Sequence, residues 1–133
     1  MSFLTREQFT GLNDLHSIEV ELPDNQGKVR IRALSSVETE LLNKRTEEGK
    51  LSNIAAACLA CTYAILDADG QRMFDPGNQK DLELLKTKSP AIILHLNEVI
   101  LRLSAAGKAE VEKYLKNWKK TQPEDSSSGS AST

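Results

Sequence analysis

Cys58-Leu59-Ala60-Cys61 has the spacing of a redox or metal motif, so the chemistry of this chain is best approached there. A redox pair places its first cysteine exposed at a helix N-terminus, where the helix dipole lowers the thiol pKa. Here both thiols lie inside an apolar, alanine-rich run on the same stripe, the setting of cysteine as a small buried hydrophobe. Zinc needs about four ligands, and His16 and His95 show no ligand spacing to either thiol. Asp67-Ala68-Asp69-Gly70 resembles the opening of a calcium loop. Aligning Gly70 with the glycine such a loop requires puts Ile65 at the first ligand position and Pro76 at the last, where glutamate is needed. The stretch reads as a turn. Nucleophile elbows, glycine-rich phosphate loops, HExxH and paired-carboxylate patterns are not found either. The reading is non-enzymatic, with no catalytic residue, cofactor or metal.

Recognition chemistry is better represented. Lys28, Arg30 and Arg32 alternate along one strand face and form a basic stripe. The stripe is either a solvated face paired with Glu19 and Glu21 or a surface for phosphates. In the segment 90–103, Ile92, Ile93, Leu96, Val99, Ile100 and Leu103 make one broad helical stripe. Leu94 and Leu101 fall nearly opposite, at i and i+7, among His95, Asn97, Glu98 and Arg102. Such a second ridge means burial on both sides or a partner-facing surface. Tyr114 and Trp118, an i,i+4 aromatic pair, pose the same choice between core packing and an interface.

These residues must be positioned by a small number of elements. Thr5 with Gln8 fits a capping box for a short helix over 5–10, broken by Gly11. Ile18, Val20 and Leu22 alternate with Glu19 and Glu21; after Pro23-Asp24-Asn25-Gln26-Gly27, Val29 and Ile31 alternate with Lys28, Arg30 and Arg32. This is a hairpin over 17–33, and antiparallel pairing sets its acidic strand opposite its basic one. Ser35 and Glu38 cap a helix over 36–46, and residues 51–66 form the next, most buried helix. A short helix over 78–88 follows. Ser89-Pro90 opens the helix that carries the two apolar ridges, and a last helix runs over 108–119. The expected fold is α+β and mostly helical: one N-terminal hairpin followed by a bundle of four to five helices. Residues 1–120 form one domain, and the polar stretch 121–133 forms a disordered tail.

The bulk properties agree with an interaction module. The chain has 133 residues, 39% hydrophobic and 27% charged, an ordinary globular balance. Seventeen basic against nineteen acidic residues leave a net charge of -2, without the basic excess of a dedicated nucleic-acid binder. No run approaches the roughly 20 apolar residues that span a bilayer. The N-terminus has no signal-peptide pattern, and two cysteines in such a chain point to reduced thiols and a cytoplasmic setting.

Several phrases, in order, resemble the tail assembly chaperones of tailed bacteriophages and prophages. They are "SIEVELPDNQGKVRIRALSSVETELL", "AILDADGQRMFD" and "NQKDLELLKTKSPAIILHLNEVILRLS", followed by a lysine-rich last helix and a polar tail. The resemblance covers roughly residues 3–118 and rests on layout and phrasing. It implies a protein of the host bacterial cytoplasm that binds the tape measure protein and keeps it soluble. It further implies recruitment of major tail protein subunits, self-association, and absence from the mature virion. It also implies that this chain is the short form of a pair made by ribosomal frameshifting. Leu94 and Leu101 would then contact the client, and the hairpin carrying Lys28, Arg30 and Arg32 would offer an assembly edge. Two other readings stay open: a small nucleic-acid-binding regulator using those three cations, and a structural tail-completion or connector protein.

Overall fold

Opposite charges set the first register. β1 (Ser17–Glu21) pairs antiparallel with β2 (Lys28–Arg32), with Glu19 opposite Arg30 and Glu21 opposite Lys28 on one face. Ile18 opposite Ile31 and Val20 opposite Val29 form the other face, where Val20 and Ile31 are fully buried. The connecting turn holds Asp24 and Asn25 at positive φ (60° and 56°), a conformation that these two residue types tolerate well. The Leu22 amide closes it by donating to the Gly27 carbonyl at 2.8 Å. The computed structural model describes residues 2–49 and 51–121.

The fold is α+β and mostly helical, and the sheet has one strand more than expected. After the short α1 (Arg6–Thr10) and the hairpin come α2 (Ser36–Gly49) and α3 (Asn53–Ala64). The chain then leaves the helix for β3 (Ile65–Leu66), which pairs antiparallel with β2 to give the order β1-β2-β3. The helix expected over 51–66 therefore stops at Ala64, and the lone hairpin becomes a three-stranded sheet. The physical reason is the second edge of β2, since a two-stranded ribbon is marginal alone. The turn after β3 helps to hold it: the Asp67 carboxylate accepts from the Asp69 and Gln71 amides, and the Met73 amide donates to the Ile65 carbonyl.

Three further helices complete the described chain: α4 (Gln79–Lys86), α5 (Pro90–Ala106) and α6 (Lys108–Thr121). Their starts follow local chemistry. Ser52 Oγ accepts the Ala55 amide at the head of α3, Asn78 caps α4, and Ser89 with Pro90 opens α5. Gly107, at φ 89°, breaks α5 from α6 where an ordinary side chain would be strained. Every residue of α3 from Ala57 to Ala64 is buried, so this helix runs through the core with apolar contact on all sides. Its alanines let neighbouring helices approach closely, and α5, α4 and α2 pack around it. Thr121 closes α6; the rest of the expected disordered tail lies outside the described residues.

Candidate interaction surface

The outer face of α5 carries two apolar side chains that the core does not use. Ile93, Leu96, Val99, Ile100 and Leu103 are buried in the core, where α5 packs against α3, α6 and β2. Leu94 and Leu101 point away and are each 45% exposed. Seven residues apart, they lie about 10 Å apart along the axis, two helical turns on one line. Beside them Arg102 Nε donates to Glu98 Oε2 at 2.6 Å, so the polar flank is internally neutralised.

His95 does not share that surface, although its position on the helix put it among the polar neighbours of Leu94. It is buried beneath α6. Trp118 stacks on its ring at a centroid distance of 3.9 Å and an angle of 18°, and Tyr114 tilts against it at 5.9 Å. His95 Nδ1 and Tyr114 Oη are 3.4 Å apart, a long hydrogen bond whose donor depends on the histidine tautomer. His95 Nε2 is buried with no hydrogen-bond partner among the described residues. Burial disfavours the charged ring and pushes the His95 pKa below its ordinary 6.5. The Arg102 guanidinium lies 4.6 Å over the Tyr114 ring, a cation–π contact. One i,i+4 aromatic pair thus fastens α6 to α5. Trp118, which stays partly exposed, also lines an open groove of about 410 Å³ with Leu115, Lys116, Glu19, Glu21 and Lys28.

No family model, curated protein or solved structure matches the chain. The functional reading therefore rests on residues and geometry.

The basic stripe divides in two. Lys28 and Arg30 both reach Glu19, at 3.1 and 3.5 Å, on an exposed face. Their hydrogen bonds and charges, led by Lys28, lower the Glu19 pKa. Arg32 turns inward instead. Its two terminal nitrogens grip both oxygens of Glu38 at 2.8 and 2.9 Å, and also donate to the carbonyls of Ala33 and Tyr63. Glu38 accepts further bonds from the Ser35 amide and from Arg72, while its own amide donates to Ser35 Oγ, completing the expected capping box. Desolvation would raise the Glu38 pKa. The bonds from Arg32 and Ser35 and the charge of Arg72 overcome that and hold it at about 2. Arg32 thereby joins β2, α2 and α3, and a continuous phosphate-facing stripe of three cations does not form.

Cys58 and Cys61 are both free and fully buried. Burial raises both thiol pKa values, that of Cys61 to about 12, so neither forms a thiolate near neutrality. No group of three or more metal-ligating side chains gathers among the described residues.

Sequence reasoning missed other exposed apolar side chains: Val37 and Leu41 on α2, Leu84 on α4, and five residues between Phe3 and Leu15. The i,i+4 spacing of Val37 and Leu41 was the readable sign. Neither fits the face that carries buried Leu42.

Proposed function

We propose that this chain is a tail assembly chaperone of a long-tailed bacteriophage or prophage. It binds the tape measure protein, keeps that long helical client soluble and helps to bring tail tube subunits to it. The observation that carries this reading is the exposed pair Leu94 and Leu101 on a helix whose opposite face is already packed into the core. An i,i+7 apolar line matches the repeat of a helical client with apolar residues every three to four positions. The neutralised Glu98–Arg102 flank leaves apolar contact as the main attraction. The resemblance of the hairpin and of the 78–104 segment to that family supports the same role. The protein acts in the host cytoplasm and leaves before the virion is complete.

Co-expression with the tape measure protein of the same phage tests this. The expected result is a co-purifying complex and a larger soluble fraction of the client, both lost with Leu94→Asp combined with Leu101→Asp. Unchanged client solubility together with no complex overturns the proposal. Mass spectrometry of purified virions separates it from a structural tail component, because the chaperone is expected to be missing from the particle.

A further inference from the structure

The second half of α6 meets α5 at a histidine. Val111 is fully buried and anchors the start of α6 just after the bend at Gly107. α5 is the main packing partner of α6, and beyond Val111 the rings of Tyr114 and Trp118 meet that of His95. A phenylalanine there would give the same stack with no polar atom to bury. The histidine instead carries Nε2 into the interior, where it has no hydrogen-bond partner among the described residues. Such a group costs desolvation that the folded state does not offset. In the neutral ring one nitrogen donates and the other accepts, whereas protonation makes both of them donors. Tyr114 Oη is placed to accept from Nδ1. The N–H on Nε2 would then be a buried donor on a charged ring, with no acceptor among the described residues.

We infer that His95 is a proton-operated latch: neutral, it holds the Tyr114–Trp118 turn of α6 against α5, and protonated, it releases that turn while the α3 core stays packed. The neighbouring groups do not stabilise the imidazolium in place. Tyr114 is the titratable group that faces the ring from α6. Glu98 and Arg102, paired on α5, act on Tyr114: burial first and the Glu98 charge next raise its pKa, and Arg102 lowers it. The groove beside Trp118 carries Glu19 and Glu21 of β1, Lys28 of β2 and Lys116 of α6, and none of them reaches Nε2. The Trp118 face attracts a cation and works against release. Burial lowers the His95 pKa and works for it. Release lets water reach both ring nitrogens, which the stack does not. A freed turn of this length is not stable as a helix in water, so the latch opens as local unfolding.

Trp118 is the chain's one tryptophan, so its fluorescence reports this contact directly. Water around an indole moves its emission to longer wavelength. Between pH 7.5 and 5 the full chain is expected to show one reversible red shift. In hydrogen exchange, corrected for the intrinsic effect of pH, the amides of 114–118 should lose protection while those of α3 keep theirs. Opening of the turn should rise by up to about tenfold per pH unit below 6.5, the limit for one proton. His95→Phe and His95→Gln carry no charge at either pH, and each should abolish the step. Circular dichroism checks their folding, and either one suffices if the other does not fold. His16→Gln removes the chain's other histidine and should leave the step in place. Emission and protection unchanged down to pH 5 overturn the inference. So does a step that survives in a folded His95 variant or disappears in His16→Gln, or a loss of protection in α3 together with α6. An emission change with full protection also overturns it, because the ring then takes its proton under an intact stack. The measurement uses this chain alone, and neither result bears on client binding.

Discussion

Two polar sites interrupt the hydrophobic packing of this protein, and they are built in opposite ways. At one end Glu38 receives Arg32 through two parallel bonds, Arg72 and the Ser35 amide, so its oxygens are well supplied with donors. At the other, His95 lies under Trp118 with one long contact to Tyr114 and a buried nitrogen that has no hydrogen-bond partner among the described residues. Both groups are largely withdrawn from solvent, but only the first is compensated for it. Supplying partners to the ionised form favours charge, and burial without them favours the neutral form. Both sites therefore lose stability on acidification, in different pH ranges.

The largest effect is expected at Glu38. With a folded pKa of about 2 against the ordinary 4.5, the carboxylate stabilises the fold above pH 4.5, and that contribution is lost as pH falls towards 2. The shift corresponds to about 3 kcal/mol at neutral pH. Arg32→Met removes the bidentate partner and strands the carboxylate, so it should cost about 3 kcal/mol in urea denaturation at pH 7. The variant should also show a shallower loss of stability between pH 4.5 and 2. An unchanged denaturation midpoint at pH 7 would mean that the Arg32–Glu38 contact contributes nothing net.

A smaller, differently placed effect belongs to His95. Its folded pKa lies below 6.5, so the unfolded chain binds the proton more readily and stability falls as pH drops through 6.5 towards the folded value. Tyr114 from α6 lies beside it and carries Arg102 over its own ring, and among the described residues no group hydrogen-bonds the buried nitrogen. His95→Phe keeps an aromatic ring against Trp118 and removes the unpaired nitrogen, so it should leave stability at pH 7 within about 1 kcal/mol of wild type. The thermal midpoint of that variant should then change less than that of wild type between pH 7 and 5. Equal slopes would place the acid sensitivity elsewhere.

How much of this was legible in the sequence depends on the range of the interaction concerned. Caps were readable because Thr5 with Gln8, Ser35 with Glu38 and Ser89 with Pro90 act over three residues or fewer. The hairpin register was readable because alternation and opposite charges agreed over five paired positions. β3 was not: two residues are too few for a period to be counted, and Ile65 and Leu66 extend an apolar run that also reads as helix. The exposed Leu94 and Leu101 ridge was visible as an opposite face, but whether another element covered it was a matter of tertiary packing. The burial of His95 was hidden for the same reason, since it depends on where α6 returns after Gly107. Arg32 was misleading in a more instructive way. It continues the alternation of Lys28 and Arg30, and only its distance from the turn, which places it beside the start of α2, gives it a different partner.

The smallest effect separates those three cations most sharply. Lys28 and Arg30 meet Glu19 on an open face, where water and salt screen the attraction and holding long side chains in place costs entropy. Glu19→Gln should leave the thermal midpoint within error of wild type in moderate salt, whereas Glu38→Gln, one strand and one turn away, should lower it clearly. If salt alone lowered the wild-type midpoint as much as Glu38→Gln does, the exposed pairs would be the ones that matter. The expected outcome is the reverse. Arg32, at the end of β2 nearest α2, has carbonyls and a partly buried carboxylate within reach, and it acts as a structural bond between elements. Lys28 and Arg30, in the same strand and on the same face, reach a solvated carboxylate, and they guide register without holding the fold together.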